Sequence, residues 1–242
     1  VTKVETCEST NSALAEQAQN LAPGSVLYTL NQTRGRGRLE REWVTRPGDS
    51  LAFSFLVDPP SNSAPLTWLP LLVGHNVAKV VSSLGVQNCV IKWPNDVLVR
   101  GQKIAGILIE HDSSGHIVVG VGINLFSQTD TLPDAGATSV VREGGSVGDL
   151  YRQIMEPIIA GVLSDFDTST DDSVAASVQR WSEVVTANMS TIGKEIEVHL
   201  GHGRKVRGIA SGLSTEGGLE VICGQGDFIT VTAADVFHIP RK

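Results

Sequence analysis

From Leu66 to Leu84 apolar side chains fall at Leu69, Leu72, Val73, Val77, Val80, Val81 and Leu84, a spacing that draws one stripe along a helix. Gly85 follows where a helix-ending glycine belongs. Three β-rich runs come next: Val97 to Val99, Ile104 to Glu110, and Ile117 to Leu125. Their links, Arg100-Gly101-Gln102-Lys103 and His111 to His116, are short enough for hairpins. A long core-facing helix feeding hairpin-linked strands favours an antiparallel meander with helices on one face over a doubly wound parallel sheet. Upstream, Val26 to Leu30 after the turn pair Pro23-Gly24 and the run Leu51 to Val57 read as further strands. Ser9-Thr10-Asn11-Ser12 offers capping side chains before Ala13-Leu14-Ala15-Glu16. The expected class is α+β, with a mixed, largely antiparallel sheet.

Helical spacing returns from Ser146 to about Phe166, where Pro157 must kink or split the helix because it lacks the needed N–H; a shorter helix covers Val174 to Val184. After about Asn188 the texture changes. Ile196-Glu197-Val198-His199-Leu200 alternates, Gly201 to Gly203 turns, and short β runs end in Gly- or Ser-rich turns, which predicts a small all-β barrel leaning on the larger domain. The expected domains are 1–188 and 189–242.

A net charge of −7 argues against a general nucleic-acid binder. The three cysteines, Cys7, Cys89 and Cys223, are scattered and form neither a disulfide framework nor a paired zinc motif. With no apolar run of membrane-spanning length and no signal-peptide pattern, the expected location is cytoplasmic, with no membrane partner. Positive charge is local instead: Arg34, Arg36, Arg38 and Arg41 crowd one short segment, which suggests a single bound anion.

That segment runs Gln32-Thr33-Arg34-Gly35-Arg36-Gly37-Arg38-Leu39-Glu40-Arg41-Glu42-Trp43. Its glycines let main-chain N–H groups approach a ligand, and its arginines supply planar donor forks for carboxylate or phosphate. Composition alone equally allows a solvated basic loop. A second constellation, Lys92-Trp93-Pro94-Asn95-Asp96, ends the apolar strand Cys89-Val90-Ile91 and has Lys103 across the expected hairpin. It reads as a rigid platform beside a ligand or as a plain strand-to-turn junction. The third, Gly120-Val121-Gly122-Ile123-Asn124-Leu125, allows a close approach to a strand and ends on an amide that is also an ordinary turn residue.

These three segments and the Ser9-Thr10-Asn11 cap, taken together and in order, resemble the biotin protein ligase family. The matching patterns are the Ser-Thr-Asn, the Gly-Arg-Gly-Arg loop ending in Trp, Lys-Trp-Pro-Asn-Asp followed by the Lys103-Ile104-Ala105-Gly106 step, and Gly-x-Gly-Ile-Asn. The resemblance covers about Glu5 to the C-terminus, where Ile192-Gly193 to Val236 is similar to the family's SH3-like cap, and it implies the class II synthetase-like fold. It implies that biotin is bound by Ser9, Thr10, Asn11, Gln32, Gly35, Arg36, Gly37, Arg38, Lys103 and Gly106. Ser9, Thr10 and Gln32 would meet the neutral ureido end, and Arg36, Gly37, Arg38 and Lys103 would surround the carboxylate and the ATP α-phosphate. Trp43, Lys92, Asn95, Asp96 and Asn124 would line the nucleotide side.

Arg38, Lys103 and Asp96 are the implied catalytic groups, with Asp96 orienting or deprotonating an incoming amine. ATP and Mg²⁺ are the implied co-reactants, with no protein-held metal site. The implied partner is a biotin carboxyl carrier domain, docked at an exposed sheet edge that equally suits a weak homodimer. Two departures stand out. Leu39-Glu40-Arg41 occupies a stretch where many members carry a further Gly, with Glu40 placing a carboxylate beside the anion site, and Arg34 stands where a small residue is common. Nothing before Val1 would form the winged-helix DNA-binding domain of some members, so the resemblance does not extend to repression.

Other patterns fail on context. Gly144-Gly145-Ser146-Val147-Gly148 fits the hydrolase Gly-x-Ser-x-Gly form but follows a polar turn, so Ser146 reads as a helix cap. His199 and His202 lack companion zinc ligands, and neither a Rossmann nor a P-loop glycine pattern is complete. A lipoate-type ligase and a non-catalytic module that recruits an acidic partner are the remaining alternatives.

Overall fold

The computed structural model describes residues 1–60, 64–111, 115–128, 136–167, 173–200 and 203–239, with backbone alone at Glu40 and Gln225. Seven strands build the main sheet: β1 (Thr2–Lys3), β2 (Val26–Thr29), β5 (Ser50–Val57), β6 (Cys89–Lys92), β7 (Asp96–Val99), β8 (Gln102–His111) and β9 (Ile117–Asn124). Between β2 and β5 a separate small ribbon is formed by β3 (Gly35–Arg36) and β4 (Glu42–Trp43). The main order is β1-β2-β5-β9-β8-β7-β6. Only β1 runs parallel to its neighbour, so the sheet is mixed and largely antiparallel. The hairpins β6–β7, β7–β8 and β8–β9 are the expected meander.

The apolar stripe of 66–84 forms a short 3-10 turn, Leu66–Trp68, and then α2 (Leu69–Ser83), with Gly85 beyond it at φ +99. Leu69, Leu72, Val73, Val77 and Val81 are fully buried against the sheet. Side chains of this size each contribute about 1.5–3 kcal/mol when removed from water. Helices α3 (Glu156–Phe166) and α4 (Val174–Thr186) pack beside α2 on the same face. The helical run divides just before Pro157. A π turn over Tyr151–Met155 leads into α3 and leaves Pro157 in its first turn, where a missing N–H is tolerated. Asp149, not Ser146, caps the segment: its Oδ1 accepts from the N–H groups of Tyr151 and Arg152 at 3.0 and 2.9 Å.

The short helix α1 (Thr10–Ala15) lies on the opposite face. Leu14 and Ala18 meet Leu27, Leu56 and Val118 there, each one residue out of phase with the main core. Strand alternation then decides the rest of that face. Across β5, β9 and β8, Ser54 and Leu108 flank Gly120, and Ala52 and Gly106 flank Gly122; Asp96 of β7 continues the second row beside Gly106. A strip of small side chains on the uncovered face of a sheet makes an open floor.

The C-terminal strands β10 (Glu195–His199), β11 (Lys205–Leu213), β12 (Leu219–Cys223), β13 (Phe228–Val231) and β14 (Asp235–His238) form a five-stranded antiparallel sheet, order β13-β12-β11-β10-β14. Two indoles rivet it to the main body: Trp68 Nε1 donates to Thr215 O at 2.9 Å and Trp93 Nε1 to Gly217 O at 3.2 Å. The joining segment also covers the β6 edge, since Ile91 N donates to Asn188 O and Ser190 N to Ile91 O. At the far edge β1 is two exposed residues long. Among the described residues no helix is long and apolar enough to cross a membrane. His202 and the centre of the His111–His116 link lie outside the described residues.

Candidate active site

A cleft of about 960 Å³, counting its open mouth, lies over the small-residue floor. Its walls are α1, the basic segment, the Lys92–Asp96 turn and the first residues of β14. One end is neutral. The Ser9 hydroxyl makes no cap bond although its backbone sits at the helix start, and Ser9, Thr10 and Asn11 are all buried at the cleft wall. The expected capping role is therefore not taken by the Ser9 side chain. Thr10 N–H donates to Gln32 Oε1 at 2.8 Å. The Ser54 hydroxyl lies 2.5 Å from Asn11 Oδ1 and 2.7 Å from Thr10 Oγ1. Having one proton, it donates to the amide and accepts from the threonine. Asn11 Nδ2 donates to Glu110 Oε2 at 2.8 Å, and the same oxygen accepts from Arg36 Nη2 at 2.7 Å.

Gly120 makes this possible. A Cβ there would lie 2.2 Å from Asn11 Oδ1. Gly35 is similar, since its Cβ would meet Trp43 O at 2.4 Å and Gln32 Nε2 at 2.5 Å; it is buried behind the loop and does not line the cleft. Gly106 and Gly122 face each other across β8 and β9, and the Trp43 indole lies on them: a Cβ on Gly122 would lie 2.6 Å from Trp43 Cε2, one on Gly106 3.1 Å from Cζ3. Trp43 Nε1 is buried there without a hydrogen-bond partner. Such a donor is costly to leave unpaired, which marks this indole position as one that a ligand with an acceptor would improve.

The other end is charged. Lys103 Nζ sits 2.5 Å from Asp96 Oδ1 and 5.5 Å from the Trp43 ring centre. Its backbone is held on both sides, donating to Gly136 O and accepting from Thr138 N–H. Burial pushes the Lys92 ammonium below its usual range, with Asp96 the chief charge opposing that shift; Phe237 lies 5.8 Å from it. Arg38 is likewise lowered by burial and supported by Asp235 and Asp96. Its Nη1 reaches Asn95 Oδ1 and Ala234 O at 3.5 and 3.4 Å. An entering anion would relieve the desolvation cost of both cations.

Most residues expected at the site therefore share one cleft: Ser9, Thr10, Asn11, Gln32, Arg36, Gly37, Arg38, Trp43, Lys92, Asn95, Asp96, Lys103 and Gly106. Asn124 does not join them. It is buried beneath the floor, where Oδ1 accepts from Ser50 and Nδ2 donates to Thr138 O, so it braces the segment that holds Lys103. Trp93 is buried as the rivet described above, although the cleft touches it, and so is not an open stacking platform. Arg34 faces away, 3.2 Å from Glu8. The effect expected of the Glu40 carboxylate lies outside the described side chains. Ser54, Glu110 and Asp235 were not anticipated. The alternation Ser50, Ala52, Ser54 inside a fully buried strand was the available signal for the first.

A floor of glycines and mostly small side chains, an amide and hydroxyl network at one end and paired cations at the other suit a small acid carrying a polar head. Residues 4–124 match the biotin/lipoate A/B protein ligase family, and residues 191–239 match the biotin protein ligase C-terminal domain. The chain is 34% identical over 239 residues to the biotin–[acetyl-CoA-carboxylase] ligase of Mycobacterium tuberculosis, covering 96% of this chain and 86% of that protein. A protein of the same description from Paracoccus denitrificans is 28% identical over 95% of this chain and 97% of its own. The structure of the Aquifex aeolicus biotin protein ligase in complex with biotin and ATP superposes with a TM-score of 0.81 at 25% identity, covering 98% of both chains. The chain belongs to the biotin protein ligase family.

Proposed function

We propose that this chain joins biotin to AMP at the expense of ATP and passes the biotinyl group to a lysine of a biotin carboxyl carrier domain of acetyl-CoA carboxylase. The observation that carries the reading is the polarity of the cleft: a neutral hydrogen-bonding end and a cation cluster meet on one glycine floor. The ureido head of biotin matches the donors and acceptors of Ser9, Thr10, Asn11 and Gln32. Its carboxylate then points toward Arg36, Arg38 and Lys103, where the triphosphate also belongs. Two anions must meet, and cations at the meeting point lower their repulsion and stabilise charge in the transition state.

A carboxylate oxygen attacks the α-phosphorus, and the bond to the leaving pyrophosphate breaks. In the second step the carrier amine attacks the acyl carbon and AMP departs with the bonding electrons. Asp96, already paired to Lys103, is placed to orient that amine or take its proton. Mg²⁺ when bound supplies charge neutralisation on the phosphates. Asp96, which lines the cleft beside Lys103, is the carboxylate that would stand nearest such an ion. Residues 1–188 form the catalytic domain in this reading and 189–242 the C-terminal domain. Among the described residues the β1 edge of the main sheet has no further strand beside it, and in this reading it takes the carrier or a weakly held second copy, in a cytoplasmic setting.

Pyrophosphate release with biotin, ATP and Mg²⁺, followed by label transfer to a carrier domain, tests this. Release that requires biotin supports it. Release with lipoate alone moves the chain to a lipoate ligase, and no release with either acid overturns catalysis.

A further inference from the structure

Asp235 opens β14 of the C-terminal sheet and faces the basic segment across the cleft mouth. Its carboxylate, 18% exposed, accepts from Arg41 Nη2, while the neighbouring carbonyl of Ala234 accepts from Arg38 at 3.4 Å. Arg41 in turn closes the loop on itself. Gly37 N–H donates to Arg41 O at 2.7 Å, and Arg41 N–H to Arg38 O at 3.2 Å. Between them Leu39 sits at φ 54, ψ 45, a left-handed conformation that a branched side chain disfavours. The backbone of this loop therefore opposes its own closed form, at the stretch where the chain departs from the family's glycine. An anchor from outside is needed, and Asp235 is the carboxylate that reaches it.

We infer that Asp235 is a positioning residue that pins the basic loop over the cleft through Arg41 and so retains the acyl-adenylate until the lysine arrives. The retention role rests on the ligase reading. Without the pin, water reaches the mixed anhydride, attacks the acyl carbon, loses a proton and expels AMP, or the intermediate diffuses away whole.

The test compares the wild-type chain, Asp235→Asn, and the exchanged pair Arg41→Asp with Asp235→Arg. Limited trypsin digestion of each ligand-free protein reads cleavage after Arg38 against cleavage after Arg207 in β11. Asp235→Asn should speed cleavage after Arg38 about three- to fivefold, the size a half-exposed ion pair supports, with Arg207 unchanged. The exchanged pair should restore protection. Equal acceleration at both sites, or none at Arg38, overturns the anchor. With biotin, ATP and Mg²⁺, Asp235→Asn should release severalfold more free adenylate and biotin-stimulated AMP per biotin transferred, and an unchanged ratio overturns the retention role. A wild-type chain that protects the loop yet releases no pyrophosphate overturns the ligase reading and the retention role with it, while the anchor stands.

Discussion

At the α1 end of the cleft the contacts are short and centred on neutral groups: Thr10 to Gln32 at 2.8 Å, Ser54 to Thr10 at 2.7 Å, Asn11 to Glu110 at 2.8 Å. At the other end Lys92, Lys103, Arg38 and Arg41 are held by Asp96, Asp235, a ring face and long contacts of 3.4–3.5 Å to Arg38. The first end is finished before any ligand arrives, so its cost of ordering is met by folding. The second is a set of cations waiting for an anion, with Asp96 on Lys103 and Asp235 holding Arg41 at the rim. Specificity is expected from the first and rate from the second, because only charge that develops in the transition state rewards cations waiting for it.

The sharpest way to break that division is Lys103→Ala. It removes the cation nearest the meeting point and leaves Asp96 facing the reacting anions. Pyrophosphate release should fall by about 10²–10³-fold, the usual loss for one preorganised charge-stabilising donor, while biotin binding by calorimetry falls by much less, because Lys103 touches the carboxylate and not the ureido head. If biotin affinity fell in parallel with rate, the two ends would not be separate devices.

Gly120→Ala attacks the neutral end. The added carbon would lie 2.2 Å from Asn11 Oδ1, and the amide cannot swing away without giving up both Ser54 and Glu110. Overpacking of this kind costs about 1–3 kcal/mol, so biotin affinity should drop roughly 10- to 100-fold. The affinity for ATP alone should hold. Ser54→Ala is milder, removing one buried hydroxyl from the same network; a loss of about 3- to 10-fold in biotin affinity follows from the worth of a neutral hydrogen bond. Unchanged affinity would show that Asn11 needs no support from beneath.

The legible part of the molecule was what repeats along the chain. The stripe of α2 and the hairpins from β6 to β9 announce themselves because burial of one face imposes a period. Ser9 shows where local rules fail: its side chain belongs among helix caps, yet the hydroxyl is withheld for the cleft. Ser146 and Asp149 show the same competition, settled by where the π turn begins. Charges and glycines of the site were visible as types. What they touch was not, because Glu110, Ser54 and Asp235 act across sequence gaps of 99, 43 and 194 residues, and no local pattern encodes which strands become neighbours.

Salt gives the smallest effect and the cleanest contrast. Arg41 is 60% exposed and Lys103 35%, so ions reach the charged end and screen it, with a Debye length of about 10 Å at 0.1 M falling to about 3 Å at 1 M. Raising salt also weakens the internal Lys103–Asp96 pair, and this offsets part of the loss because Lys103 is freed for the substrate. The net loss in ATP affinity between 0.1 and 0.5 M salt should therefore be modest, about two- to threefold. Biotin affinity, resting on a neutral head in a buried network, should move less than that. A common salt slope for both substrates would mean that the biotin carboxylate, rather than its head, supplies most of the affinity, and the division between the two ends would fail at its base.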